Sequence, residues 1–170
     1  MTTRRNVVGG GVVADVAFGA FVVTAVLVLD QMSKAASSAQ VSGLRNSGLL
    51  LGVGAGPRLA LIALSCVVIA AFVAATRRTI VQMGGSVLGP SLVLGGMIGN
   101  LADRVRLGSV RDFMTAGPFI INVADVAVAL GIVLTLGGVA IRIGQLRENG
   151  DVVAFDRRRF RLVVLDGAGR

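Results

Sequence analysis

Residues 59–76 read LALIALSCVVIAAFVAAT, a run without a single charge. An uncharged apolar stretch of about 18 residues or more is the length at which an α-helix crosses a hydrocarbon core about 30 Å thick. Lipid offers no water to backbone N–H and C=O groups, so such a segment is expected to be helical. Working outward, segments at about 7–29, 80–101 and 123–141 share this character. The pattern predicts an all-α polytopic membrane protein with four transmembrane helices. The 170 residues are 54% hydrophobic with a mean hydropathy of +0.82, above the apolar share of a soluble domain. The predicted division is a four-helix membrane domain over 1–145 and a basic tail over 146–170. Arg4 and Arg5 precede the first segment as they would in a cleaved signal peptide. Its apolar run exceeds the 7–15 residues of a signal h-region, so it is read as a retained helix.

The net charge of +8 could suggest nucleic acid in a soluble protein, but here its distribution matters more. The N-terminus, the connection at Arg77-Arg78 and the tail together carry eleven basic residues, and the two remaining loops carry six. By the positive-inside rule both termini are cytoplasmic, and loops 31–58 and 102–122 face outward. Short strands fit the small-residue-rich first outer loop, giving a small extracytoplasmic, β-containing region. Val152-Val153-Ala154-Phe155 and Arg161-Leu162-Val163-Val164 can pair as strands in the tail. The Arg157–Arg161 cluster suits anionic lipid headgroups as well as it suits a solvated tail. Membrane lipids are therefore expected partners, and nucleic acid is not.

What is missing narrows the chemistry. There is no histidine, which removes Ser-His-Asp and Cys-His catalysis and every His-ligated metal site. Cys66, the one cysteine, lies in an apolar helix, and Lys34 is the one lysine. No metal or cofactor is expected. An enzyme built on this chain must work with aspartates, with Ser-Lys, or with arginine and asparagine.

The third segment is rich in glycine. Gly85/Gly89 and Gly95/Gly99 are small-xxx-small pairs that let helices approach closely, and Pro90 is expected to kink the helix. Gly96, Asn100 and Asp103 recur at i, i+4 and i+7 and so share a face. Asn100-Leu101-Ala102-Asp103 ends this helix, and Asn122-Val123-Ala124-Asp125 opens the next. Opposite helix directions put both Asn/Asp pairs near the outer boundary, with Asp112 between them. Ionisable groups at a membrane helix are costly and are candidates for function. Two carboxylates sharing a site do not ionise together, so one holds a proton while the other activates water. Which two of Asp103, Asp112 and Asp125 pair stays open on these grounds. Asp103 has Arg104 beside it and Arg106 at i+3, natural ion-pair partners. Asp30 and Lys34, at i and i+4, read as an interfacial ion pair worth a few tenths of a kcal/mol. Asp15, two turns into the first helix, reads as reaching the interface or a neighbouring helix.

Asp30-Gln31-Met32-Ser33-Lys34, Asn46-Ser47-Gly48, Gly95 through Arg104, Gly108-Ser109-Val110-Arg111-Asp112-Phe113 and Asn122-Val123-Ala124-Asp125 occur in this order. Together they resemble the successive motifs of lipoprotein signal peptidase, also called signal peptidase II, over about residues 30–125. The resemblance implies a monomeric aspartic endopeptidase of the bacterial cytoplasmic (inner) membrane, with its active site at the outer face. Its substrates would be prolipoproteins bearing a diacylglyceryl-cysteine, cut just before that residue. The family's catalytic aspartates fall on Asp112 and Asp125. Asn46, Gly48, Asn100, Arg104 and Asn122 match positions that support the site or the substrate, and Asp30, Lys34 and Asp103 are architectural. The chain departs from the pattern at Arg111, where the family has an apolar residue, and at Leu51 and Ile121, where phenylalanine is common. An inactive or respecialised paralogue that binds lipoproteins is one alternative. A small proton-coupled multidrug transporter using Asp15 is another, and a Ser-Lys hydrolase using Lys34 with Ser37 or Ser38 is a third.

Overall fold

The computed structural model describes residues 8–38, 45–46, 57–83, 86–148, 152–156 and 161–165, with side chains over 13–37, 57–76 and 86–148. Among these residues the chain is mostly helical: α1 (Val8–Ser38), α2 (Arg58–Met83), α3 (Leu88–Leu107) and α4 (Val123–Glu148). Six short strands accompany them: β1 (Arg45–Asn46), β2 (Val110–Arg111), β3 (Met114–Ala116), β4 (Phe119–Ile121), β5 (Val152–Asp156) and β6 (Arg161–Leu165). Val13–Ser37, Arg58–Thr76 and Val123–Glu148 are long and apolar enough to cross a membrane.

Helix ends differ from the expected ones for one recurring reason. Charge marks where lipid ends and does not stop a helix. α1 continues past residue 29 to Ser38, and the Ser33 and Ser37 hydroxyls donate to the carbonyls of Asp30 and Ser33, each at 2.8 Å. α2 runs through Arg77 and Arg78 to Met83, and α4 runs through Arg142 to Glu148. α3 begins at Leu88 rather than 80, because residues 80–83 belong to the continuation of α2. Pro90 therefore sits in the first turn of α3, where its missing N–H leaves no helical bond unmade, and the expected mid-helix kink has no place to form.

α3 packs against α1, α2 and α4, and its glycines set the distances. A methyl group at Gly96 would strike the Ala124 carbonyl of α4, and one at Gly89 would lie 2.5 Å from the Thr135 hydroxyl. Gly95 meets Val26 of α1, and Gly99 faces the Asp30 carboxylate. The glycines thus sort by neighbour, with Gly89 and Gly96 on α4 and Gly95 and Gly99 on α1. Gly85 lies outside the described residues. Among the described residues a small apolar cluster is formed by Val22, Val26 and Ala127, flanked by Leu88 and Leu92.

The surface is inverted relative to a soluble protein. Phe21, Leu59 and Leu136 are 68%, 79% and 64% exposed, whereas among the described residues the largest fully buried side chains are Lys34, Asn122, Asp30 and Asp103. Lipid solvates the first group, and charged groups in a membrane helix face the bundle interior.

Between α3 and α4 the chain makes a compact turn. Gly108 caps α3 at φ 76° and donates its N–H to the Arg104 carbonyl at 3.1 Å, a left-handed closure open to glycine without penalty. β1 then pairs antiparallel with β2, Arg45 opposite Arg111 and Asn46 opposite Val110. β3 and β4 form a hairpin across Gly117-Pro118. Gly117 has φ 60° and proline holds φ near −65°, the sign pattern of a type II′ turn suited to two-residue hairpins. β5 and β6 pair antiparallel, Val152 opposite Leu165, as expected for these two stretches of the tail.

Candidate active site

The site grows from the first turn of α4. Asn122 and Asp125 cap each other: the Asp125 N–H donates to Asn122 Oδ1 at 3.0 Å, and the Asn122 N–H donates to Asp125 Oδ2 at 3.1 Å. This reciprocal arrangement satisfies two N–H groups of the first turn that lack helical partners. It also orients both side chains through bonds local to four consecutive residues. The Asn122 amide then donates to Asp112 Oδ1 at 2.6 Å and to Asn100 Oδ1 at 3.2 Å. Asn100, on α3, donates to the other oxygen of Asp125, Oδ1, at 2.8 Å. Asn122 is fully buried and Asp112 is 5% exposed. Asp112 follows directly on β2, and Phe113 donates its N–H to the Ile121 carbonyl at 3.1 Å, which ties this segment to β4.

Two carboxylates, Asp112 and Asp125, thus share one asparagine and lie within electrostatic reach of each other. Arg104, nearly buried, donates to the Asn100 carbonyl at 3.4 Å and holds its charge within reach of both acids. Such a pair can hold one proton and pass another, which is acid–base chemistry without histidine.

The third acid belongs to a different cluster. Asp103 is fully buried and binds Lys34 at 3.4 Å and Arg111 at 2.7 Å. The expected partners were Arg104 and Arg106. Arg104 instead reaches the Asn100 carbonyl and Arg106 is exposed, whereas the turn after Gly108 brings Arg111 back to this carboxylate. Asp103 hydrogen bonds keep the Arg111 guanidinium protonated to still higher pH than usual, against a smaller opposing effect of burial. Lys34 also binds Asp30 at 2.8 Å and Asn100 Oδ1 at 3.0 Å, which links this cluster to the carboxylate pair.

The Asp30–Lys34 pair is not the weak interfacial bridge its spacing suggested, because both side chains are completely buried. Gly99 leaves room for the carboxylate, and Asp30 Oδ1 accepts the Ala124 N–H at 3.0 Å. An anion there complements the positive end of the α4 dipole. Gln31 was given no role from the sequence. It donates to Asp30, Asp103 and the Gly99 carbonyl and accepts from Arg111. Its i, i+3 relation to Lys34 could have indicated the shared face.

The remaining candidates fall elsewhere. Asn46 enters through the backbone, as the β1 residue opposite Val110. Gly48 and Leu51 lie outside the described residues, and Ile121 is a half-buried β4 residue. Asp15 is exposed on the outer surface of α1 and does not turn into the bundle. The Lys34 ammonium is taken by Asp30, Asp103 and Asn100, and the Ser37 hydroxyl points to its own helix. Lys34 and Ser37 therefore form no catalytic couple, and the Ser38 side chain lies outside the described ones. Among the described residues no three acids or cysteines gather as a metal site would require.

Comparison with known proteins bears on the same residues. The family described as Signal peptidase (SPase) II matches residues 22–141, a span that contains every cluster above. A lipoprotein signal peptidase of Rhizorhabdus wittichii is 36% identical over 157 residues, covering 75% of this chain and 90% of that protein. One from Dehalococcoides mccartyi is 33% identical over 128 residues, covering 72% and 79% respectively. A solved structure titled "Bacterial membrane enzyme structure by the in meso method at 2.3 A resolution" superposes with a TM-score of 0.63, covering 76% of this chain and 91% of that one. At 21% identity that likeness is one of fold. With a family match over most of its length and relatives above 30% identity, the chain belongs to the signal peptidase II family of membrane peptidases.

Proposed function

We propose that this chain removes the signal peptide from diacylglyceryl-modified prolipoproteins as an aspartic endopeptidase, cutting before the lipidated cysteine. The observation that carries the reading is the sharing of Asn122 between Asp112 and Asp125. In this mechanism one aspartate takes a proton from water as that water attacks the scissile carbonyl. The other aspartate gives its proton to the carbonyl oxygen. The first then returns a proton to the amide nitrogen as the C–N bond breaks, and the second recovers its own. Asn100 and Asn122 hold the acids in place, and Arg104 supplies positive charge to the aspartate pair, which keeps one negative charge throughout. Asn46 and Gly48, from the segment between α1 and α2, support the site or the substrate.

The proposed setting is the bacterial cytoplasmic membrane, with a monomer working alone. In this setting α3, Leu88–Leu107, serves as the fourth span, with its charged end and β2–β4 at the outer face. Both termini then lie in the cytoplasm, and the four-helix unit ends near 145, ahead of the basic tail. The test is incubation of the purified chain with a diacylated prolipoprotein. A shortened lipoprotein beginning at the lipidated cysteine is the expected product. Equal cleavage of the unlipidated precursor, or binding without cleavage, would contradict the proposal.

A further inference from the structure

Asp112 follows a two-residue strand, too short to hold its own position. What fixes it is a pair of backbone anchors. After it, Phe113 donates to the Ile121 carbonyl, and before it, the Arg111 N–H donates to Asp103 Oδ2 at 3.1 Å. The first acceptor is ordinary backbone. The second is a side-chain carboxylate, which must itself be held still.

Arg111 holds it. Its Nε donates to Asp103 Oδ2 at 3.2 Å and its terminal nitrogen to Oδ1 at 2.7 Å, so both carboxylate oxygens are engaged by one planar fork. The same terminal nitrogen reaches Gln31 Oε1 on α1 at 3.1 Å. A single side chain thus ties β2 to α3 and α1, and its backbone uses the carboxylate that its guanidinium immobilises. Charge balance points the same way. Asp30 and Asp103 are both fully buried, and without Arg111 the one ammonium of Lys34 would serve two carboxylates.

We infer that Arg111 is a positioning residue for the proposed peptidase reaction: acting through Asp103, it sets where Asp112 meets Asn122. It touches no reacting atom. The inference rests on the reading of Asp112 as half of the catalytic pair, and its test separates the two. In Arg111→Met, hydrogen exchange of the amides from 111 to 113 is expected to rise by about tenfold or more, with α1 and α4 unchanged. This readout needs no substrate. On a diacylated prolipoprotein, kcat should fall by about 10²-fold, as small misplacements of catalytic groups do, with KM shifted less than about twofold. Arg111→Lys, which keeps the charge but not the fork, should recover part of that loss. It carries the test if exchange rises throughout the Met variant. Asp103→Asn combined with Arg111→Met should be no slower than Asp103→Asn alone, because both act at one contact. Unchanged exchange at 111–113, additive losses, or a change confined to KM would overturn the inference. A wild-type chain that cuts nothing while the exchange responds as expected would overturn the proposed function and leave the clamp standing.

Discussion

Replacing Asn122 separates two roles that one side chain combines. Its Oδ1 caps α4, and its amide group donates to Asp112 and Asn100. Asn122→Ala removes both roles. Loss of a cap is worth about 1 kcal/mol, and a buried acceptor stripped of a donor costs about 1–3 kcal/mol. Since Asp112 is 5% exposed, water cannot readily replace the lost donor. The expected destabilisation is therefore about 2–4 kcal/mol. Asn122→Ser keeps a capping oxygen, so it should recover the cap's share of about 1 kcal/mol. Serine cannot span the 2.6 Å bond to Asp112 and the bond to Asn100 together. Turnover should therefore fall by about 10²-fold in both variants, despite their different stabilities. The assays are thermal unfolding in one detergent and cleavage of a diacylated prolipoprotein by the folded fraction. Normal turnover in Asn122→Ser would refute the idea that this amide aligns Asp112.

Two further outcomes test the fold and its setting. Gly96→Ala places a methyl group against the Ala124 carbonyl and should lower stability by about 1–3 kcal/mol, whereas Gly137→Ala meets nothing within 4 Å and should be neutral or slightly stabilising. Equal thermal shifts in the two variants would show that α3 and α4 are not held at that spacing. Reporter fusions near residues 45 and 110 should read as extracytoplasmic, and fusions near 78 and 160 as cytoplasmic, following the asymmetry of basic residues. A tail that reads as outward would put Asp112 and Asp125 on the wrong side for exported substrates.

Much of this architecture is legible in the residues, and what escapes does so for physical reasons. The apolar run at 59–76 announces a helix because lipid demands one. The run's end at Arg77 is mistaken for the helix's end, because hydropathy reports the solvent and the backbone continues to Met83. Asn122 and Asp125 can be read as a helix start, since their capping is local and written in four consecutive residues. The partners of Asp103 cannot be read that way. Nearby arginines invite pairing with Arg104 and Arg106, yet the partners are Lys34, from another helix, and Arg111, from beyond a glycine turn. Periodicity places residues on a face, and only the packed bundle brings α1 against that face. Arg111 is visible in sequence as a departure, and only the fold turns the departure into a contact.

The central claim is that Asp112 and Asp125 carry the chemistry and Asp103 does not. The direct measurement is cleavage of a diacylated prolipoprotein by Asp112→Asn, Asp125→Asn and Asp103→Asn, each at matched membrane levels. Asparagine preserves shape but cannot exchange the proton, and proton transfer is worth about 10²–10⁴-fold. Losses of at least that size are predicted for the first two variants. Asp103→Asn should keep measurable turnover, because it breaks the Arg111 fork that positions Asp112 but removes no group that exchanges a proton in the proposed reaction. Near-normal turnover in Asp112→Asn, with activity abolished in Asp103→Asn, would contradict the account and move the active site to the buried ion cluster.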